Sequence, residues 1–171
     1  VLYFLICWPI SLPSRRGGAT ISEPYRLRAA GILRHLADSI ARCRHTPRLL
    51  AMGDFNDEPH NASVSRVLAP TFAELTSHAT PFPAEGHDDI EGSYYFRGEW
   101  SRIDQILVSP ALLSPTMKFH TTPQSVHLLA FPPLLETLGR GTLSKPFRTY
   151  LGPFYHGGIS DHLPLCIDFS Y

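Results

Sequence analysis

The chain has 171 residues, 43% of them hydrophobic and 18% charged, and fifteen basic side chains balance fifteen acidic ones. That length fits one compact domain able to bury about 70% of its extended-chain surface, and the composition excludes intrinsic disorder. A zero net charge argues against a strong diffuse attraction to nucleic acid, while leaving room for a local basic patch.

The opening Val1 to Ile6 is too short to cross a bilayer and lacks the basic flank of a signal peptide. Its valine, tyrosine, phenylalanine and isoleucine predict a strand, and a chain that begins inside a strand is expected to belong to something longer. Pro9 to Gly18 is rich in breakers and reads as a loop. Ser22 then predicts a helix N-cap with Pro24 in the first turn. Leu27, Ala30, Leu33, Leu36 or Ala37, and Ile40 recur at helical spacing, with arginines expected on the opposite face and an end before Pro47. Arg48 to Met52 predicts a buried strand that stops at Gly53, and Asn61 to Leu68 a short helix. Thr76 to Glu91 reads as surface loop. Ile103 to Val108 and Ser125 to Phe131 predict strands, Leu134 to Leu138 a short helix, and Leu163 to Phe169 a last strand. Strands alternating with helices define the α/β class. Cys7, Cys43 and Cys166 form no CxxC and no regular spacing, so no disulfide framework or structural zinc site follows. Buried packing roles are expected for all three.

Three short segments carry chemistry. In Gly53-Asp54-Phe55-Asn56-Asp57-Glu58 a hydrophobic strand delivers acid and amide groups at its C-terminal end. Alternation places Asp54 and Asn56 on one side and Phe55 on the other. Their oxygens suit a hard cation or a phosphate site, and the same residues also suit a plain polar turn. In Arg102-Ile103-Asp104-Gln105-Ile106-Leu107-Val108, an acid entering an apolar strand needs a partner. That partner is a histidine to be oriented, or Arg102 beside it. In Gly157-Gly158-Ile159-Ser160-Asp161-His162-Leu163-Pro164-Leu165, a glycine pair leads into Asp-His and then an apolar strand. Ser160, Asp161 and His162 cannot act as a catalytic triad, because adjacent side chains on an extended backbone diverge. A metal ligand followed by a general acid fits better, against the plain alternative of an uninvolved loop histidine.

The order GDFN, RIDQIL, SDHLP resembles the C-terminal portion of the endonuclease/exonuclease/phosphatase (DNase I-like) superfamily, in a bacterial subgroup. Pro13 to Gly18, Gly92-Ser93-Tyr94-Tyr95-Phe96, Trp100 and Lys145 to Tyr150 extend the resemblance along nearly the whole chain. It implies half of a four-layer α/β sandwich, mainly one mixed β-sheet with flanking helices, with residues 1–171 as the C-terminal part of the domain and its N-terminal half absent. It also implies hydrolysis of phosphate esters by in-line attack of water with Mg²⁺ or Mn²⁺ as cofactor.

By motif, the resemblance makes Asp54 the residue that orients or deprotonates the water and Asn56 a donor to a phosphoryl oxygen. It gives Asp161 to the metal together with Asp54, and His162 to the scissile phosphate with Asp104 fixing its tautomer. Tyr94, Trp100 and Arg148 are implied substrate contacts, or else packing. The partner is a phosphate-ester substrate, nucleic acid being one candidate, and the substrate within that class is left open.

Two departures stand against this. The early Asn and the principal metal-binding Glu of the family lie outside the chain. In addition, relatives carry a catalytic histidine before Trp-Pro-Ser-Arg; here that position falls on Cys7 or Ser11, depending on the residues aligned. A catalytically incomplete, phosphate-binding remnant is therefore the second reading. A lone half is further expected to leave an apolar sheet face uncovered, and so to self-associate or be marginally stable.

Overall fold

The computed structural model describes residues 5–15, 17–44, 47–83, 86, 88–138 and 143–171. Strand β1 (Leu5–Ser11) leads into the long helix α1 (Ala19–Cys43) and then into β2 (Arg48–Asp54). A short π-helical segment (Ser63–Leu68) precedes β3 (Ala73–Glu74) and β4 (Thr80–Phe82). A hairpin of β5 (Tyr94–Phe96) and β6 (Glu99–Ser101) comes next, followed by β7 (Asp104–Val108) and β8 (Val126–Leu129). The antiparallel pairs β9 (Leu135–Leu138) with β10 (Leu143–Pro146), and β11 (Tyr150–Leu151) with β12 (Phe154–Tyr155), precede the last strand, β13 (Leu165–Ile167).

Two sheets form the body. The larger is mixed, with order β1-β2-β7-β3; the smaller has order β13-β8-β4. β1 and β2 run parallel and are joined through α1, the crossover that a parallel pair requires. β2 pairs antiparallel with β7, Leu50 opposite Val108, Ala51 opposite Leu107 and Met52 opposite Ile106. The twofold alternation of strands then sorts the side chains. Leu49, Ala51 and Leu107 join Ala30 and Ala37 of α1 with Val64, Leu68 and Phe72 in one core. Leu50, Ile106 and Val108 face the smaller sheet, packing with Val126, Leu128 and Leu163 in a second core. Around β2 and β7, both faces of this sheet carry apolar packing from within the chain.

Several local expectations are corrected. β1 continues through Pro9 and Ile10 to Ser11, because each of its residues pairs with one of β2; an edge strand tolerates the missing proline donor. Residues 1–4 of the predicted first strand lie outside the described residues. α1 starts at Ala19 rather than after Ser22. Ser22 sits in its first turn, where its hydroxyl donates to the Gly18 carbonyl (2.9 Å). Arg26 is buried on the inner face rather than displayed with the other arginines, because Asp57 waits there as counter-charge. Within Thr76 to Glu91, Thr76 and Ala79 are buried and β4 joins the smaller sheet, where Thr80 to Phe82 pair with His127 to Leu129. Leu135–Leu138 is a strand instead of a helix, since Leu135 to Leu138 find partners in β10. The last strand is trimmed to Leu165–Ile167. Cys43 is exposed and Cys166 half-buried, both unbridged. No helix among the described residues is long and apolar enough to cross a membrane.

Gly53 shows how tightly β1 and β2 meet. Its φ is +138°, and a Cβ there would stand 2.1 Å from the Ile10 carbonyl oxygen. Gly53→Ala is therefore expected to destabilise the fold by at least about 2 kcal/mol through strain and clash together. Urea unfolding measures this, and a loss under about 0.5 kcal/mol would show that β1 can move aside.

Candidate active site

The ends of β1, β2 and β7 bring three polar residues level. Ser11 pairs with Asp54, and Asp54 pairs with Asp104 on its other side. The predicted pairing of Asp54 and Asn56, with Phe55 turned away, matches the structure: Phe55 is fully buried in the α1-side core. The chain then turns at Asn56, whose φ of +49° lies in the left-handed region that asparagine tolerates. Asp54 holds that turn. One carboxylate oxygen accepts the Asn56 backbone N–H (2.8 Å) and the other accepts its side-chain amide (3.0 Å). The same amide donates to the Leu12 carbonyl (3.0 Å), so any contact of Asn56 with a phosphate must replace one of these bonds.

His162 arrives from the loop that enters β13. Its Nδ1 lies 2.6 Å from Asp104 Oδ2, and that oxygen also accepts the Ser93 hydroxyl at 2.5 Å. An Nδ1–H held by a carboxylate leaves Nε2 as the working nitrogen. Asp104 is thus the acid beside a histidine, not the partner of Arg102. The Arg102 guanidinium instead donates to the Thr76 carbonyl (2.7 Å). Ser160 is likewise no nucleophile in a relay, since its oxygen accepts the His162 backbone N–H (3.0 Å).

Electrostatics sharpen the pair. Burial by itself would lower the His162 pKa. The hydrogen bond and charge of Asp104, with the charges of Asp54 and Asp161, outweigh it and raise the imidazole above its usual range. Asp54 is raised as well, first by burial and then by the Asp104 charge across the strand pair, against the Asn56 backbone donor.

These groups open on a cavity of about 700 Å³ lined by Asp54, Asn56, Asp161, His162, Tyr94 and Arg15, among others. Tyr94 packs 4.8 Å from the His162 ring. Arg148 stands over the Tyr94 ring (5.2 Å to its centre) and donates to the Tyr95 carbonyl (2.5 Å), without itself lining the cavity. Trp100 turns the other way, packing at 5.1 Å on Tyr95 and against the core between the sheets.

Sequence reasoning missed four contributors. Ser93 grips Asp104, while Phe96, Glu99 and Arg15 line the cavity. Arg15 donates from Nε to the Asn56 carbonyl (2.6 Å) and from Nη2 to the Asn61 side chain (3.0 Å), so it pins the turn at Asn56. Its place in the Pro13-Ser14-Arg15 motif was the available signal. Of the two positions considered for the family's histidine, Ser11 pairs with Asp54 and lines the cavity, whereas Cys7 pairs with Leu50.

A divalent metal would need oxygen ligands here. Asp54 and Asp161 both line the cavity and suit Mg²⁺ or Mn²⁺ chemically. Among the described residues, however, no three His, Cys, Asp or Glu side chains stand together to hold an ion. The set fits only a metal that keeps waters and shares the substrate phosphate.

Known structures share this arrangement of elements. A functionally unknown conserved protein from Enterococcus faecalis V583 is 20% identical, over 96% of this chain and 49% of that one, with a TM-score of 0.53. A mannosyl-6-phosphatase from Bacteroides thetaiotaomicron VPI-5482 is 17% identical, over 86% and 46%, at 0.52. A humanized D. rerio TDP2 is 17% identical, over 98% and 55%, at 0.55. At such identities the likeness shows the fold, an α/β architecture of the DNase I-like kind, and the chain spans about half the length of these structures. No curated protein matches the chain. The model of the endonuclease/exonuclease/phosphatase family matches residues 2–170, and the chain belongs to that family.

Proposed function

We propose that this chain carries the phosphate-ester hydrolysis of its family, by in-line attack of water, as the C-terminal part of a larger domain. The observation that supports this best is the His162–Asp104 pair, 2.6 Å apart, whose His162 lines one cavity with Asp54, Asn56 and Asp161. Asp54, held by Asn56 and partly desolvated, orients the water and takes its proton. Protonated His162 meets the phosphoryl or leaving oxygen through Nε2, its charge sustained by Asp104. Asn56 adds a donor once one of its internal bonds is exchanged. Asp161 and Asp54 would hold Mg²⁺ or Mn²⁺, which would supply charge neutralisation for the phosphoryl oxygens. Tyr94 walls the cavity beside His162, and Arg148 steadies Tyr94.

A second reading rests on the small metal set and on Ser11 opposite Asp54: a phosphate-binding remnant that needs ligands from elsewhere, including a second copy of the chain. Turnover of bis(p-nitrophenyl) phosphate and p-nitrophenyl phosphate with Mg²⁺ or Mn²⁺ separates the two. The enzymatic reading expects metal-dependent hydrolysis that EDTA abolishes. A specific activity that climbs with protein concentration marks completion by a second copy. Turnover no higher than that of His162→Ala at every concentration would sink the enzymatic reading in favour of the remnant.

A further inference from the structure

The segment between Arg148 and Asp161 contains no Asp, Glu, Lys or Arg. Within it β11 and β12 form a hairpin with Gly152 and Pro153 at the turn. Tyr150 pairs with Tyr155, and Leu151 with Phe154 one rung nearer the tip. All four are exposed, Phe154 at 75%, Tyr155 at 72%, Tyr150 at 59% and Leu151 at 43%, and Ile159 follows at 61%.

The base of this hairpin is fixed. The Thr149 hydroxyl donates to the Ile159 carbonyl (2.8 Å), and the His156 N–H donates to the Thr149 carbonyl (2.8 Å). His156 Nε2 also lies 2.9 Å from Glu136, which Lys145 approaches to 3.1 Å on its other oxygen. A rigid base therefore presents a bare apolar tip.

Two features say what covers it. Alternation turns the Tyr150–Tyr155 rung to one face of the ribbon and the Leu151–Phe154 rung to the other, and both rungs are exposed. A protein partner with a flat surface would cover one face only, whereas a surrounding apolar medium covers both. The polarity is graded too: tyrosines stand nearer the base, with leucine and phenylalanine next to the uncharged turn. That order matches a bilayer interface, where tyrosine rings sit at headgroup level and aliphatic or phenyl groups lie deeper.

We propose that this hairpin docks on a phospholipid bilayer, inserting Leu151 and Phe154 below the headgroups. Arg148 at its base braces Tyr94 in the cavity wall, and Ile159 at its other end is followed within two residues by Asp161. Docking brings the site to the headgroup layer, so the substrate class becomes the phosphate ester of a lipid headgroup. That last step rests on the phosphoesterase reading; the docking does not.

The test uses the whole chain with phosphatidylcholine vesicles, neutral and with added anionic lipid. Cosedimentation is expected for the parent chain, with about a tenfold or greater drop for Leu151→Ser/Phe154→Ser. Phe154→Trp should gain blue-shifted emission on vesicles, over the background of Trp8 and Trp100, and be quenched by phosphatidylcholine brominated on its acyl chains. Circular dichroism of the double variant checks that it folds, and its turnover of a soluble diester should equal the parent's. No vesicle binding by the parent would overturn the proposal, as would equal binding by the double variant. A lipid-free dimer that the double variant loses would assign the hairpin to a protein contact instead. Vesicle binding without any hydrolysis would leave docking standing and remove the substrate assignment.

Discussion

His162→Ala is expected to lower phosphodiester turnover by about 10²–10⁴-fold while leaving the fold intact, because His162 is half-buried at a cavity wall and carries no core contact. Asp104→Asn is expected to cost less, on the order of 10–10²-fold, since it removes the charge and tautomer control while the imidazole stays. The pH profile distinguishes the two roles. In the parent, burial pulls the His162 pKa down while the Asp104 hydrogen bond and the Asp104, Asp54 and Asp161 charges lift it to a net increase. A protonated donor loses activity as pH rises through its pKa, so the alkaline limb should lie above the ordinary histidine value of about 6.5. Removing the Asp104 charge should move that limb down. Asp54 is raised too, by burial first, so the acid limb should lie above an ordinary aspartate's. The stability linkage has a matching sign. A histidine raised by folding contributes stability in full below about pH 6.5, and that contribution is lost as pH rises through the folded pKa. An alkaline limb unmoved by Asp104→Asn would mean that a group other than His162 supplies the proton.

The same pair shows what the sequence could and could not tell. The strand ends carrying Asp54 and Asp104 were legible because Asp54 closes one apolar run and Asp104 opens another, and apolar runs locate strands whatever they pair with. That they lie opposite each other was not legible, because register is fixed by contacts between segments far apart in sequence. Thr76 to Glu91 read as loop for its prolines, glycine and acids, yet Thr80 to Phe82 pair with β8; a neighbouring strand overrode local preference. Leu135 to Leu138 misled in the same way, having too few residues for a period to show and a partner in β10. Arg26 was hidden for a different reason. Helical spacing sorts residues by apolarity, and a charge on the buried face is invisible until its counter-charge is located.

That counter-charge sets the second large effect. Arg26→Met is expected to destabilise the chain by about 3–5 kcal/mol, a sizeable part of a typical total of about 5–15 kcal/mol. Arg26 is 2% exposed and Asp57 equally so, with Nε 2.8 Å from Oδ1. The other guanidinium nitrogens donate to the Ser22 hydroxyl (2.6 Å) and the Ala19 carbonyl (2.8 Å), which ties Asp57 to the first turns of α1. Asp57 also accepts the Ser63 hydroxyl (2.6 Å), and its backbone carbonyl accepts the Gln105 amide (2.9 Å). Without Arg26, one buried carboxylate keeps its desolvation and loses its main cation. Arg15, 3.5 Å away and a third exposed, compensates in part and places the loss toward the lower end of the range. The combination Arg26→Met/Asp57→Asn removes both charges and should recover stability relative to Arg26→Met alone, because the penalty comes from the orphaned charge rather than from the lost bond. Urea unfolding of the three variants reads this directly, and a double variant no more stable than Arg26→Met would place the loss in packing. Because Asp57 follows Asn56 in the turn proposed to serve hydrolysis, Arg26→Met should also slow turnover at temperatures where the chain remains folded. The helix face that stabilises the domain is then the same one that holds the turn in place.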